Sequence, residues 1–401
     1  MLLIGGGGRE HALAWRLAQS PLKPELFVSP GNPGIAQLAK CLPAPKYLHD
    51  YAALAQAFDI DLTVVGPEAP LVEGIVDDFR ALGLRIIGPT RSAAMLEGSK
   101  LFAKEFFERA GIPAARTVRR FDQSSFPLVV KADGLAAGKG VVIAQDRGEA
   151  ENAIQRLGPN VVLEEYLEGE EVSFIGLSNG LDLAAFPPTQ DHKRLLNGDL
   201  GPNTGGMGAY VDNCILTAAQ TGEIIDRIML PAISQMAKEG NPFTGFLYAG
   251  LMVTAGGPKV LEFNVRLGDP EAQALMHGFN GDLVTVLDEV ARGGTPRLPT
   301  PSAQPSVCVV LAASGYPDRP KTGDPIQGIT AAESLDATVF QAGTALHNGE
   351  LVTAGGRVLG VTASGDTLST AISKAYSAVE KIHFEGAQYR TDIGQKGLSR
   401  W

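Results

Sequence analysis

The stretch Val260–Gln273, VLEFNVRLGDPEAQ, decides how this chain folds and what it can bind. Its first residues alternate in character. Glu262, Asn264 and Arg266 fall on one face of a β-strand, and Leu261, Phe263, Val265 and Leu267 on the other. The odd face reads as core. The even face sets a carboxylate, an amide oxygen and a guanidinium in a row, each about 7 Å from the next at the rise of a strand. Two oxygen donors beside a cation suit Mg²⁺ held against a polyphosphate, because that ion takes one or two protein oxygens and completes its octahedron with water and phosphate. Gly268-Asp269-Pro270 breaks the strand, and Pro270 opens a helix with Glu271 in its first turn. An edge strand with a solvated polar face fits the same alternation. The rest of the chain bears on the choice.

Phe246–Thr254 lies just upstream and pairs with Lys259–Leu267 as an antiparallel hairpin. Before it come two polar, glycine-rich stretches, Thr189-Gln190-Asp191-His192-Lys193-Arg194 and Gly201–Gly208, flanking a loop with almost no core-forming residues. Long polar loops in a compact domain are functional or disordered; glycines and specific polar residues favour a substrate loop. His192 reads equally as a general base or as a structural histidine.

Further out, Leu128–Lys131 and Val141–Ala144 form a hairpin around ADGLAAGKG, a small-residue loop carrying Lys139. Such a loop can fold over a triphosphate without side-chain clashes. It is not a GxxxxGK[ST] loop, since a strand follows it rather than a helix. Ser99–Ala110 is helical with Gly111 as its stop, placing Lys100 and Lys104 on one face. Val161–Glu165 runs into an acidic turn and then strand Val172–Leu177. That turn is either simply solvated or a hinge that meets adenine and ribose.

The N-terminus opens as strand Leu2–Ile4, glycine turn and helix, with strands at Leu26–Val28, Leu62–Val65 and Arg85–Ile87. A single helical spacing runs through Leu71, Ile75, Phe79 and Leu82. This is βαβ architecture with a parallel sheet. A dinucleotide fingerprint fits poorly, because Glu10 stands where the third glycine belongs and Ser29-Pro30 where a ribose-binding acid belongs. A glycine turn facing a phosphate or polar substrate fits better. At the other end, Gly222–Ala237 reads as a helix and Thr295–Pro305 as a proline-rich linker. A compact α+β tail follows, its one feature of chemical interest the Gly355-Gly356-Arg357 turn.

The chain has 401 residues, enough for two to four domains at roughly 100–200 residues each. Hydrophobic residues make up 44% and charged residues 19%, which is globular. A net charge of −10 argues against non-specific nucleic-acid or anionic-membrane binding. Cys41, Cys214 and Cys308 stand in no CxxC pairing, so neither a thiolate metal site nor a disulfide framework is expected. No apolar run is long enough to span a membrane, and the chain starts on a core strand with no cleavable signal. A cytoplasmic protein is expected.

The order GGGGREHALAW, VGPEAPLV, LEGSK, VVKADGLAAGKGV, EEYLEGEEVS, QDHKR, GPNTGGMGAY, LEFNVRLGDPE and GGRVL resembles one family from Met1 to about Ile393: phosphoribosylamine–glycine ligases, of the ATP-grasp superfamily. VVKADGLAAGKGV and EFNVRLGDPE mark ATP-grasp enzymes in general; QDHKR and GPNTGGMGAY are specific to this ligase. The resemblance implies a multidomain α/β and α+β protein. It would have a Rossmann-like domain (1–98), a connecting helix (99–119), a mobile lid (120–186), a catalytic core (187–300) and a small α+β domain (306–401).

It also implies roles. Lys104 and Lys131 would contact ATP phosphates, with the Gly134–Gly140 loop, including Gly138 and Lys139, closing over them. Glu164 and Leu167 would meet adenine, mostly through backbone, and Glu171 the ribose. Glu262 and Asn264 would ligate Mg²⁺ or Mn²⁺. Arg266, Asp269 and Glu271, with Asp191, Lys193 and the loop Asn203, Thr204, Gly205, Gly206, Met207, would surround glycine and an acyl phosphate. Gly7, Arg9, Gly66, Pro67 and Glu68 would help hold 5-phosphoribosylamine. Small molecules are the implied partners of a monomer.

The runs Phe121–Pro127 and before Val161 are shorter than the family pattern, so a trimmed lid is expected; the loop VDNCILT after Tyr210 is also abbreviated. A related ATP-grasp carboxylase or formate-using purine enzyme should lack the DHKR and NTGGMG loops. A regulatory module without turnover should lose Glu262, Asn264 or Lys131. None of these features is missing.

Overall fold

A computed structural model describes residues 1–118, 125–135, 140–300 and 302–399. The N-terminal part is a five-stranded parallel sheet in the order Lys40–Cys41, Phe27–Pro30, Leu2–Gly5, Thr63–Val65, Ile86–Ile87. The first strand has the second on one side and the fourth on the other. The winding therefore reverses between Gly5 and Gly66, where open α/β sheets leave a ligand crevice. The helical spacing Leu71–Leu82 resolves into two helices, Glu68–Glu73 and Ile75–Ala81. Gly74 between them has φ +99°, a left-handed conformation that ends one helix and starts the next.

The central sheet has nine antiparallel strands. Gly257–Asn264 lies at one edge, then Thr244–Thr254, Glu170–Asn179 (with Leu183–Ala185 beside it), Thr189–Asp191 and Gly208–Val211. Ser306–Ala312, Arg357–Ser364 and Thr338–Gln341 continue it without a break. The tail after the proline-rich linker thus extends the core sheet through Tyr210 opposite Val307. Linker composition alone hides this, because it marks a loop and not what the next strand pairs with. The tail also holds a hairpin whose first strand, Thr344–His347, has a weak apolar pattern and is not legible in sequence.

The opening stretch departs from simple alternation. Gly250 pairs with Glu262, but Leu251 pairs with Val260, so Leu261 is the extra residue of a β-bulge. Leu261 is only half-buried, whereas Val260, Phe263, Val265 and Leu267 are core. The bulge shifts the buried phase by one residue and leaves Glu262, Asn264 and Arg266 on the open face. Regular pairing ends at Asn264, before Arg266.

The residues read as a loop between Arg194 and Asn203 pair as a short irregular hairpin, Arg194–Leu196 with Leu200–Asn203. The helix read at Gly222–Ala237 runs from Ala218 to Lys238, with a π-helical turn at Ile225–Met229. Pro231, just after that turn, has no N–H to donate into it. Finally, Leu128–Ala132, Val141–Ala144 and Val161–Glu165 form a three-stranded sheet under helix Arg147–Leu157. Its core (Leu128, Val130, Ala144, Ala150, Ala153) is separate from the two large cores of the molecule.

Candidate active site

Glu164 lies 2% exposed at the end of its strand, with Lys104 on one carboxylate oxygen and Lys131 on the other, both at 2.7 Å. Each ammonium also donates to a carbonyl, Lys104 to Ala115 (2.7 Å) and Lys131 to the bulged Leu261 (2.9 Å). The Glu164 side chain therefore orders two cations, a role its adenine assignment does not include. Burial holds the Lys104 ammonium below the usual lysine range, with Glu164 opposing. Lys100 donates to the carbonyl of Gly134 (2.8 Å), stapling the start of the small-residue loop to the helix Lys100–Ala110. Gly138 and Lys139 lie outside the described residues. Leu167 is buried within the acidic turn, and Glu171 pairs with Lys193.

Glu262 and Asn264 face this cluster, and neither makes a side-chain hydrogen bond or ion pair among the described residues. Burial raises the Glu262 carboxyl, but Lys193, Lys131, Lys100 and Arg266 outweigh it and hold the group below its ordinary value. An ionised carboxylate ringed by cations, with an amide oxygen two residues along the same strand, fits a hard divalent ion. No group of three or more His, Cys, Asp or Glu side chains that could hold a metal forms among the described residues. Such an ion would need phosphate and water for the rest of its shell.

Arg266 stands past the strand end as a hub. It pairs with Glu97 at 2.8 Å and Glu68 at 3.1 Å, joining the core to the N-terminal sheet. Glu97 accepts in turn from the Val265 amide at 2.7 Å. Asp269 pairs with Arg357 at 3.1 Å and accepts from Gln273 at 2.7 Å. Burial raises the Asp269 carboxyl, but Arg357, Arg9 and Arg266 bring it below its usual value. Glu271, 3% exposed, accepts from Ser173 and Tyr248, each at 2.9 Å. Asp191 Oδ1 is buried with no hydrogen-bond partner. Burial and then Glu271 push this carboxyl well above the usual range, with Lys193 opposing.

The loop after Asn203 closes over these acids. Thr204 donates through both its amide (2.8 Å) and hydroxyl (2.9 Å) to the carbonyl of Lys193. Gly205 lies between Tyr316 and Arg357, which hydrogen-bond its amide and carbonyl. Gly206 has φ +111°, and a side chain there would meet Asp191 and Pro270. Met207 is fully buried, with its amide on His192 and its carbonyl taken by Val310, so its side chain anchors the loop.

At the N-terminal crevice the glycine turn also differs from its reading as a free anion cradle. The Glu10 carboxylate accepts from the Gly7 amide at 2.6 Å and from Arg9 at 2.6 Å. Glu10 lies against both Gly5 and Gly66, so a Cβ at either glycine would collide with its side chain. An internal carboxylate thus occupies the helix terminus where a dinucleotide pyrophosphate would bind, which removes that reading. Arg9 reaches Glu68 at 3.8 Å and the carbonyl of Leu267 at 3.1 Å; Pro67 is the N-cap of the helix that Glu68 starts.

The structure brings together Lys104, Lys131, Glu164 and Glu262 on one side, and Arg266, Glu68, Arg9, Asp269, Glu271, Asp191 and Lys193 on the other. Glu10, Glu97, Ser173, Tyr248 and Arg357 belong to this network without having been assigned roles. Glu10 and Glu97 sit inside quoted motifs and Arg357 in a noted turn; Ser173 and Tyr248 carry no local signal. His192 points away from the site. It is 1% exposed, 6.1 Å from the Tyr210 ring, and burial holds it at about 4, so it is neutral.

A sheet-borne site of two lysines and an acid–amide pair, beside a small three-stranded unit with its own core, fits an ATP-grasp fold. The solved biotin carboxylase of Campylobacter jejuni shares that fold, with a TM-score of 0.72 at 14% identity over 99% of this chain and 94% of that one. Family models for phosphoribosylglycinamide synthetase match throughout: the N domain at residues 1–97, the ATP-grasp (A) domain at 98–272 and the C domain at 306–396. The chain belongs to the phosphoribosylglycinamide synthetase family, whose members are carbon–nitrogen ligases that use ATP and a divalent metal.

Among its relatives, the phosphoribosylamine–glycine ligase of Ralstonia nicotianae is 49% identical over the full length of both chains. That of Pseudomonas aeruginosa is 46% identical, over all of this chain and 98% of the other. The crystal structure of the Thermotoga maritima enzyme of the same name superposes with a TM-score of 0.86 at 36% identity, over 98% of this chain and 99% of that one. The alignment to the Ralstonia protein spans 424 positions against 401 residues here, so this chain carries gaps relative to it.

Proposed function

We propose that the chain joins glycine to 5-phosphoribosylamine at the expense of ATP, giving glycinamide ribonucleotide, ADP and phosphate. The observation that carries this reading is the juxtaposition at Asn264–Arg266. A nucleotide-phosphate pocket (Lys104, Lys131, Glu262, Asn264) meets a charged cleft (Arg266, Asp269, Glu271, Asp191, Lys193) that opens to the switch point of the N-terminal sheet.

A glycine carboxylate is a poor electrophile. One of its oxygens attacks the γ-phosphorus of ATP, the bond to the ADP oxygen breaks, and glycyl phosphate forms. The amine of phosphoribosylamine then attacks the carbonyl carbon, the carbon–oxygen bond to phosphate breaks, and the nitrogen loses a proton. Asp191, whose buried Oδ1 has no hydrogen-bond partner, is the candidate acceptor for that proton when it is ionised. Phosphoryl transfer needs positioning and charge neutralisation more than a protein nucleophile. Lys104, Lys131 and Arg266 supply these, and a divalent ion held by Glu262 and Asn264 would neutralise the triphosphate. Water must be kept from glycyl phosphate, which the lid at 120–186 does by closing over the core at 187–300. The remaining parts are the 1–98 domain, the 99–119 helix and the 306–401 domain. The protein acts as a cytoplasmic monomer with Mg²⁺ or Mn²⁺.

The test is ADP formation with glycine and freshly generated phosphoribosylamine, each omitted in turn. ADP that requires both supports the reading. Full activity with bicarbonate or formate replacing glycine sinks it.

A further inference from the structure

The hairpin Arg194–Leu196 and Leu200–Asn203 joins the two halves of the substrate loop, yet it has almost no core of its own. Leu196 is 52% exposed and Leu200 64%. Only two residue pairs bridge its strands, across a bulge. A hairpin this small does not hold one conformation by itself, so something else must fix it.

The C-terminal segment does. Arg390 is 1% exposed, among the most deeply buried side chains of the molecule. Its guanidinium binds Asp392 through two bonds of 2.7 Å, Asp199 of the hairpin turn at 2.8 Å and the carbonyl of Arg194 at 3.1 Å. Lys396 adds a second cation to Asp199 at 2.5 Å. Asn197 donates to Thr391 at 2.6 Å and accepts from its amide at 3.0 Å, and Gly198 donates to Asp392 at 2.8 Å. Tyr376 holds the other side of the segment, donating to the carbonyl of Arg390 and accepting from the amide of Ile393, both at 2.9 Å.

We infer that Arg390 is a positioning residue: through the hairpin it sets the placement of Lys193 and of the Thr204–Gly206 loop against Asp191 and Asp269. The connection is short. Arg390 holds the Arg194 carbonyl, the next residue back is Lys193, and the Lys193 carbonyl receives both donors of Thr204. Gly206 then has no spare room, because a Cβ would already sit 2.7 Å from Asp191 Oδ1. A planar guanidinium suits this work, since it reaches a bidentate carboxylate, a second acid and a carbonyl at once from one rigid fork. A displacement of about 1 Å in such a loop costs on the order of a hundredfold in rate. The inference rests on the ligase reading only for which substrates the loop serves.

The test uses the full chain with Arg390→Ala, Arg390→Lys and Asn197→Ala. In steady-state ADP formation, Arg390→Ala is expected to lower kcat/KM for glycine tenfold or more, with KM for ATP within twofold of the parent. Arg390→Lys recovers part of the loss, and Asn197→Ala, on the exposed side of the same junction, shows a smaller loss with the same selectivity. Amide hydrogen exchange across residues 195–203 reads the clamp without any turnover, and faster exchange there in each variant is expected. Parent-like kcat/KM for glycine in Arg390→Ala overturns the proposal, as does an equal rise in KM for ATP. If Arg390→Ala does not fold, parent-like exchange and kinetics in Asn197→Ala overturn it. Should the parent form no ADP at all, the ligase reading fails, while the exchange result still decides the clamp.

Discussion

The Lys131 ammonium lies 2.7 Å from the Glu164 carboxylate, and both groups are nearly sealed from solvent. With Lys104 on the other oxygen, one carboxylate balances two cations before any triphosphate arrives. Removing it leaves two buried like charges. Glu164→Ala should lose about 3–5 kcal/mol of stability, the usual result of stripping one partner from a buried pair. It should also weaken nucleotide binding. Chemical denaturation and titration with a non-hydrolysable ATP analogue check both, and unchanged stability would refute the role given to Glu164.

Arg357 reaches from the C-terminal part of the sheet to Asp269 and the carbonyl of Gly205. It is foremost among the charges that hold the Asp269 carboxyl below its ordinary value. A group so depressed is ionised above its folded pKa and neutralised as pH falls through it. Arg357→Ala should therefore shift the acid limb of the kcat/KM profile to higher pH and reduce its plateau. An unshifted limb with a lower plateau would leave Arg357 a purely steric role.

His192 is buried and held at about 4, against an ordinary 6.5. Between those values the unfolded chain binds a proton that the folded protein refuses. Folding stability should thus rise with pH across that window and be lost as pH falls through it. The gap is worth on the order of 3–4 kcal/mol at most. His192→Phe should reduce the pH dependence of the unfolding free energy between pH 4 and 6.5, leaving the share of His11 and His277, which burial also holds at about 4, while activity at neutral pH changes little. A large loss of neutral-pH turnover in the folded variant would restore the general-base reading.

Glu10 occupies the helix terminus that the glycine turn creates. Glu10→Ala should free the Gly7 amide, release Arg9 and raise KM for phosphoribosylamine at least tenfold, with KM for ATP little changed. Substrate kinetics in the folded variant would show it, and parent-like KM values would rule out this role.

Much of this was legible because the chemistry-bearing residues cluster in short motifs. Glu262, Asn264 and Arg266 share a face whatever their strand pairs with, and Lys104 and Lys131 stand on elements with plain periodicity. The bulge at Leu261 was not legible, because it depends on how Gly250 and Leu251 meet the next strand. Ser173 and Tyr248 face Glu271 across neighbouring strands 75 residues apart in the chain. No local pattern records that register. Met207 looked like part of a substrate loop because its neighbours are glycines, while its buried side chain obeys the sheet below. The linker at Thr295–Pro305 suggested a separate tail. Only the pairing of Gly208–Val211 with Ser306–Ala312 shows one sheet carrying both Asp191 and Arg357.

The central claim is that Glu262 and Asn264 present their oxygens to a divalent ion on the ATP phosphates, beside Lys131. A crystal structure with Mg²⁺ and a non-hydrolysable ATP analogue tests it directly. The account predicts one ion bonded to the Glu262 carboxylate and to Asn264 Oδ1, with phosphate oxygens completing its shell. A triphosphate bound elsewhere, or both side chains turned away with no ion between them and the nucleotide, would contradict it.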